Sequence, residues 1–340
     1  MITHYGIYIG RFQPFHNAHL ETVRRALDRF DRLIIVLGSD KQARNIKNPW
    51  STAERIALIQ SCLTEDECKR IHFMPAGDYL YNDNLWLTAV QSGVAQIIAS
   101  ETDESMVSII GRKKNSSTVY FDLFPQWNFV DSGVRCDTDA TKIRELMFTQ
   151  DKLGIKHLVP PSVYDRLRSY METSEYQRLH EEFHHILNYR AQWAHTPFPP
   201  TFNTIDAIVI KSGHVLVVRR RCAPGKGLIA LPGGYIQHEE TIINGCLREL
   251  KEETSISVPY HELKKYLSDE KVFDHPQRSL RGRTITHAFC FNMGHGDLPN
   301  VKGGDDASKS WWMPLRDVMA RESEFFEDHF HIITYFANRF

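Results

Sequence analysis

Three observations predict an α/β chain of two domains. Strand-like and helix-like segments alternate through the first half, which argues for a mostly parallel sheet flanked by helices. The segment His195-Thr196-Pro197-Phe198-Pro199-Pro200-Thr201 cannot be helical, because three prolines remove donors and fix φ. Beyond it the texture changes to short strands around one charged helix. A length of 340 residues agrees, since about 150 residues per domain gives roughly two.

The elements follow in order. Ile7 to Ile9 is a short apolar strand, and Ala18 to Phe30 has helical spacing through Leu20, Val23, Ala26, Leu27 and Phe30. Leu33 to Leu37 is an unbroken aliphatic run, the mark of a strand buried on both faces. Ser51 stands three residues before Glu54, a capping box, and a helix through Ile56, Ile59 and Leu63 follows. Further strands are expected at Ile71 to Met74, Ile97 to Ala99, Met106 to Ile110 and Asn128 to Val130. Residues 161–193 read as one or two helices closing a first domain of residues 1–194. Residues 195–201 are the linker, and 202–340 the second domain. There, strands are expected at Ile205 to Ile210, Val215 to Arg219 and Ile285 to Phe291, with helices at Thr241 to Thr254 and Glu324 to Asn338.

Composition excludes several classes. Lys plus Arg total 41 against 42 Asp plus Glu, a balance unsuited to bulk nucleic acid or an anionic membrane surface. No apolar run approaches the ~18 residues of a membrane span. The N-terminus enters a strand-like segment without a signal-peptide pattern. Cys62, Cys68, Cys136, Cys222, Cys246 and Cys290 are scattered, which reads as reduced core thiols. The expectation is a soluble cytoplasmic protein.

The stretch Gly10-Arg11-Phe12-Gln13-Pro14-Phe15-His16-Asn17-Ala18-His19 joins the first strand to the first helix. Such a turn points backbone N–H groups and the positive helix end at a ligand, which suits triphosphate. His16 and His19 are spaced i, i+3, so both rings can face one way. With Arg11 they would stabilise the charge of a phosphoryl transition state. Downstream, Thr141 can donate to phosphate from a helix start, and Arg144 brings a bidentate fork one turn on.

These residues resemble the archaeal-type nicotinamide mononucleotide adenylyltransferases of the HxGH nucleotidyltransferase superfamily, over roughly Met1 to Ser169. That family carries G-R-F-Q-P-x-H-x-G-H early and a small-residue-Thr-x-x-Arg motif late. The resemblance implies a Rossmann-like nucleotidyltransferase domain with a mostly parallel sheet. Gly10, Arg11, Phe12, His16 and His19 would form the ATP-phosphate site, and Thr141 and Arg144 its second wall. Ala18 departs from the family's glycine. Thr138-Asp139 departs from Ile-Ser, although Asp139 could cap the helix. Asp78 to Trp86 looks like the mononucleotide pocket, with Trp86 stacking on the pyridinium ring and Asn82 or Asn84 reading the carboxamide. Trp86 reads equally well as a helix core residue.

In the second domain Glu249, Glu252 and Glu253 fall on one helical stripe, a repulsive arrangement unless cations sit on it. Mg²⁺ or Mn²⁺ prefers such oxygen ligands, and Arg248 can hold a carboxylate in place. Gly234, Glu240, Arg248, Glu249, Glu252 and Glu253 have the spacing of the Nudix box, G-x5-E-x7-R-E-U-x-E-E-x-G-U. Ser255 alone departs, in place of the last glycine. This resemblance implies an α+β Nudix fold, a mixed sheet with a catalytic helix. The segments carrying Arg278, Arg281 and Arg283 and Gly304-Asp305-Asp306-Ala307 resemble ADP-ribose-hydrolysing members. The three arginines would neutralise a diphosphate or terminal ribose, whereas Arg219-Arg220-Arg221 reads as a strand end with solvated charge.

Together the resemblances imply a bifunctional enzyme. One domain would join ATP and nicotinamide mononucleotide into NAD, and the other would hydrolyse ADP-ribose to AMP and ribose 5-phosphate. They imply Mg²⁺ or Mn²⁺ in both domains, small-molecule substrates, no nucleic-acid or membrane partner, and a possible homo-oligomer. Two rival readings are a non-catalytic Nudix sensor for ADP-ribose and a transferase for another phosphorylated acceptor.

Overall fold

A computed structural model of the protein describes residues 2–102, 104–112, 121–135 and 138–339. The chain divides into two compact units, Met1–His180 and Glu181–Phe340.

The first unit contains β1 (Thr3–Gly10), α1 (Asn17–Arg29), β2 (Arg32–Asp40), α2 (Thr52–Gln60), α3 (Glu65–Lys69) and β3 (Ile71–Gly77). It continues with α4 (Asp83–Ala99), β4 (Ser105–Gly111), β5 (Asn128–Asp131), α5 (Ala140–Phe148), α6 (Lys152–Lys156), α7 (Pro161–Met171) and the start of α8 (Ser174–Ala191). The sheet runs β3-β2-β1-β4-β5 and every pairing is parallel. Leu33 to Leu37 are wholly buried, as a strand covered on both faces requires. At the C-terminus of α1, Arg70 donates to the carbonyls of Leu27, Phe30 and Asp31, satisfying acceptors that the helix leaves open. Chain order reverses direction at β1, between β2 and β4. A crevice therefore opens beyond the C-terminal ends of β1 and β4, the usual place for a ligand in such sheets.

One expected strand is helical instead. Ile97 to Ala99 is the last turn of α4, continuing the stripe of Val90 and Val94 that faces the core. Three β-branched or apolar residues in a row outweighed that longer helical period.

The second unit contains β6 (Thr201–Lys211), β7 (His214–Arg220), β8 (Ile229–Ala230), β9 (Gly233–Tyr235), α9 (Ile242–Thr254) and α10 (Tyr260–Leu263). It ends with β10 (Leu267–Phe273), β11 (Arg283–Asn292), β12 (Ala307–Pro314), α11 (Leu315–Ala320) and α12 (His329–Ala337). The sheet order is β10-β11-β6-β7-β12, with β8 on β7 and β9 on β6. Only β6 and β11 pair in parallel, so the sheet is mixed. Helix α9 lays Cys246, Leu247 and Leu250 onto Ile205, Ala207, Val209 and Phe289 of this sheet.

The divide between units falls inside α8, ahead of the proline-rich segment. After His180 the helix bonds into the second unit. Glu182 accepts from the Gly225 N–H at 2.9 Å, and Arg190 donates to the Leu280 carbonyl. The thiols also differ from expectation: Cys246 and Cys290 are buried, Cys62 and Cys68 are half-buried, and Cys222 is exposed. Cys136 lies outside the described residues. Among the described residues no helix is long and apolar enough to cross a membrane.

Candidate active sites

In the first unit the turn after β1 is tightly specified. Phe12 takes φ 52°, in the left-handed region, and the Gln13–Pro14 peptide is cis. The Gln13 amide is clamped by the backbone of Trp50, donating at 2.8 Å and accepting at 3.1 Å. His16 is the N-cap of α1, and its ring stacks on that of His19 with centroids 3.5 Å apart and planes 21° apart. The i, i+3 spacing thus brings both imidazoles to one face, at the positive end of the helix.

Helix α5 supplies the opposite wall. Asp139 caps it, accepting from the Lys142 N–H at 2.9 Å, so the departure from the family pattern serves the helix. Arg144 is buried and spans the site: Nη1 donates to the Gln13 carbonyl at 2.6 Å and Nη2 to the Thr141 hydroxyl at 3.2 Å. Burial pulls its pKa down to about 10. Arg11, Phe12, His16, His19, Thr141 and Arg144 line one cavity of about 300 Å³, with Gly111 at its β4 side. A Cβ at position 10 would lie 2.8 Å from the Phe12 ring, so Gly10 lets the turn close.

Two cations beside this cavity escaped sequence reasoning. Arg55 is only 1 % exposed and donates to the carbonyls of Arg11, Gly38 and Ser39. It therefore ties the turn after β1 to the C-terminal end of β2, and burial brings it down to about 10. Its signal was a charge four residues before Ile59 on the buried face of α2. Lys47 is brought down to about 8 by burial and by the nearby charges of Arg11 and Arg144.

The proposed mononucleotide segment is not gathered into this cavity. Asn82 caps α4, accepting from the Leu85 N–H at 3.2 Å, and Asn84 is exposed. Trp86 packs against the core cluster beside Phe124, with ring centroids 5.7 Å apart.

In the second unit Arg248 organises the carboxylates of α9. It holds Glu240 in a two-pronged pair at 2.7 and 3.0 Å, and its Nη1 lies 2.8 Å from both Glu249 and Glu252. Glu253 is buried and accepts from the Gly233 N–H at 3.0 Å. Burial, with repulsion from Glu249, pushes its carboxyl up to about 8 despite that bond. Burial raises Glu249 as well. A Cβ on Gly234 would lie 2.7 Å from the Glu249 carboxylate, so that glycine allows β9 to pass close to α9. As the side chains lie, no three His, Cys, Asp or Glu groups among the described residues surround one metal position, because Arg248 draws Glu249 and Glu252 to itself. The donor chemistry nevertheless fits a hard divalent cation. The half-buried Glu249 is raised by burial and by the charges of Glu252 and Asp305, and the buried Glu253 by burial and by Glu249, a situation a dication would reverse.

Ser255 closes α9 in the left-handed conformation, φ 45° and ψ 33°, with its N–H donating to the Lys251 carbonyl. The expected turn therefore forms without glycine.

The three loop arginines separate. Arg281 lines a cavity of about 120 Å³ with Glu253, Tyr235 and Glu327. Arg278 also reaches it, but its guanidinium is buried and paired with Asp328 at 2.8 and 2.9 Å. Its charge is thus already neutralised, contrary to the role expected for it. Arg283 does not line the cavity; it donates to the Asp274 carbonyl. Arg220, expected to be solvated, instead lines the cavity with its guanidinium 4.1 Å from the Phe326 ring centre.

Two family models match the chain: cytidylyltransferase-like over residues 7–115 and the NUDIX domain over residues 200–336. A nicotinamide/nicotinic acid mononucleotide adenylyltransferase of Acinetobacter baylyi is 36% identical over 180 residues, 53% of this chain and 93% of that one. A nicotinamide-nucleotide adenylyltransferase of Thermococcus kodakarensis is 31% identical, over 48% of this chain and 81% of that one. Over 99% of both chains, the crystal structure of a bifunctional NMN adenylyltransferase/ADP ribose pyrophosphatase from Francisella tularensis, complexed with AMP and a manganese ion, is 34% identical with a TM-score of 0.92.

Proposed function

The chain belongs to the family of bifunctional nicotinamide mononucleotide adenylyltransferase/ADP-ribose pyrophosphatases, and on that premise we propose that it builds NAD in one unit and cleaves ADP-ribose in the other. The observation that carries the first half is the union of two distant motifs at one cavity: Arg144 bonded to Gln13 across the stacked His16 and His19. In this reading the phosphate of nicotinamide mononucleotide attacks the α-phosphorus of ATP in line, and pyrophosphate leaves. No covalent nucleophile is needed. Arg11, His16, His19, Thr141 and Arg144 hold the triphosphate and stabilise the charge that develops on it. The acceptor's ring is assigned to the segment Asn82 to Trp86.

In the second unit, Glu249 and Glu253, with Glu252, would hold Mg²⁺ or Mn²⁺, which when bound would supply an activated water and a clamp on the diphosphate. Arg248 orients Glu249 and Glu252, Gly233 orients Glu253, and Arg281 with Arg220 offers positive charge to the phosphates. The retained carboxylates favour catalysis over a purely sensory role. The mononucleotide could be replaced by another phosphorylated acceptor, which a competition assay decides.

The test uses the purified full chain. It should form NAD from ATP and the mononucleotide and release AMP from ADP-ribose in magnesium. His19→Ala should lower only NAD formation, by about a hundredfold or more, as for loss of one preorganised donor. A folded His19→Ala protein with normal NAD synthesis overturns the assignment of the histidine pair.

A further inference from the structure

The NUDIX match begins at residue 200, yet α8, upstream of it, touches a residue that lines the pyrophosphatase cavity. The Tyr189 hydroxyl lies 2.9 Å from the Tyr235 hydroxyl, and Tyr235 follows Gly234 on β9 and lines the cavity beside Glu253. The Tyr235 ring is fixed elsewhere too. Phe202 meets it edge-on at 6.1 Å, and the Arg281 guanidinium sits 5.6 Å from its centre. Tyr189 and Trp193 both pack on Phe202, at 5.6 and 5.3 Å. Arg190, one residue on, donates to the carbonyl of Leu280, in the loop that carries Arg281. Tyr235 nevertheless remains 38 % exposed, a large ring held rigidly with open surface.

A tyrosine pinned at its hydroxyl and its edge, with the Arg281 guanidinium over one face, has few ways to relax. Such a ring offers a flat face of fixed orientation, and stacking on a fixed face suits a nucleobase more than a sugar or a phosphate. The charged end of the cavity, at Glu253 and Arg281, already suits the diphosphate. We propose that Tyr235 is the surface on which the adenine of ADP-ribose stacks, and that Tyr189, from the helix before the Nudix domain, is the positioning residue that holds it. This rests on the pyrophosphatase reading above.

The experiment compares full-length wild type with Tyr189→Phe, Tyr235→Phe and the double variant, each change deleting only a hydroxyl. A lost hydrogen bond that only orients the ring should raise KM for ADP-ribose about three- to tenfold and leave kcat within about twofold. The double variant should be no worse than either single one, because both remove the same bond. Competitive inhibition by AMP should weaken in parallel with KM, while inhibition by ribose 5-phosphate stays as in wild type. NAD synthesis should be unchanged in all three. An unchanged KM in Tyr189→Phe, additive effects in the double variant, or an equal loss of ribose 5-phosphate inhibition each overturns the proposal. ADP-ribose binding measured by calorimetry in chelator, where no cleavage occurs, separates the two claims. A wild type that binds but never cleaves with metal defeats the pyrophosphatase reading. A cleaving wild type whose Tyr189→Phe variant binds equally well defeats this one.

Discussion

Arg144 donates a 2.6 Å hydrogen bond to the backbone carbonyl of Gln13, 131 residues earlier in the chain. That bond, with the one to Thr141, uses two arms of a planar fork on a residue that lines the cavity. Lysine keeps the charge but cannot make both contacts in fixed geometry. Arg144→Lys should therefore fold and lose NAD synthesis by roughly ten- to a hundredfold, the range for a hydrogen bond to a charged group. Initial rates with purified protein check this, and a near-normal rate would show the fork to be structural.

Lys47 sets a pH dependence. Its ammonium, at about 8 in the folded protein, lies below its ordinary 10.5 because of burial first, and then of Arg11 and Arg144. Between those values the folded chain binds fewer protons than the unfolded one, so without ligand this group makes stability rise with pH from about 8 upward. A bound triphosphate has the opposite effect, because its negative charge favours the protonated amine. ATP binding at pH 9 should therefore take up a proton, and affinity should fall as pH rises above about 8. Calorimetry in two buffers of different ionisation heat measures the uptake, and Lys47→Arg should abolish it. Equal heats for wild type in both buffers would remove Lys47 from the site.

Ser255 holds a left-handed conformation that glycine adopts without steric strain. The conformation costs a non-glycine residue roughly 1–2 kcal/mol, partly offset by the greater freedom that glycine has in the unfolded chain. Ser255→Gly should raise stability by about 0.5–1 kcal/mol in thermal or denaturant melts while leaving AMP release unaltered. A lower melting temperature would mean that the Ser255 side chain has a role of its own.

What could be read from the sequence divides along physical lines. Local rules performed well. The Ser51–Glu54 capping box forms with both of its bonds, and Leu33 to Leu37 is the doubly covered strand its unbroken aliphatic run announces. The family resemblance, not spacing alone, implied that the distant Gly10 to His19 and Thr141 to Arg144 segments share one site, and both line one cavity. What could not be read depends on three-dimensional neighbours. Nothing near Arg278 in sequence announces Asp328, 50 residues on, which neutralises it. Nor does the Arg219 to Arg221 run distinguish Arg220, turned onto Phe326, from its exposed neighbour Arg221. The proline-rich segment marked a break in helical pattern, but contacts made by Glu182 and Arg190 carry the preceding helix into the second unit.

Those contacts make a prediction about fragments. A fragment of residues 195–340 lacks Glu182, Tyr189 and Arg190, leaving the Gly225 N–H, the Tyr235 hydroxyl and the Leu280 carbonyl without these partners. Residues 181–340 keep all three. The longer fragment should be more stable, by about 1.5–4.5 kcal/mol if each of the three bonds contributes a typical net amount. Parallel melts of the two purified fragments test it. Equal stability would place the true boundary at the prolines.

Glu253→Gln should abolish ADP-ribose cleavage and spare NAD synthesis. The buried Glu253 carboxyl bonds to the Gly233 N–H and is repelled by Glu249. Glutamine retains an oxygen for that N–H, so the local backbone should hold. It removes the negative charge that a hard cation needs, and with it the activated water and the clamp on the diphosphate. The fall in AMP release should accordingly be severe. Metal binding supplies an independent measure, because Mn²⁺ titrated onto the full chain should lose affinity for the second unit in the variant. In chelator the sign should reverse: with the repulsion from Glu249 gone, Glu253→Gln should melt no lower than wild type. A structural salt bridge would behave in the opposite way, since breaking it destabilises the protein whether or not metal is present. Normal cleavage by the variant, unchanged Mn²⁺ binding, or a melt well below wild type in chelator would each show that these carboxylates do not hold the metal.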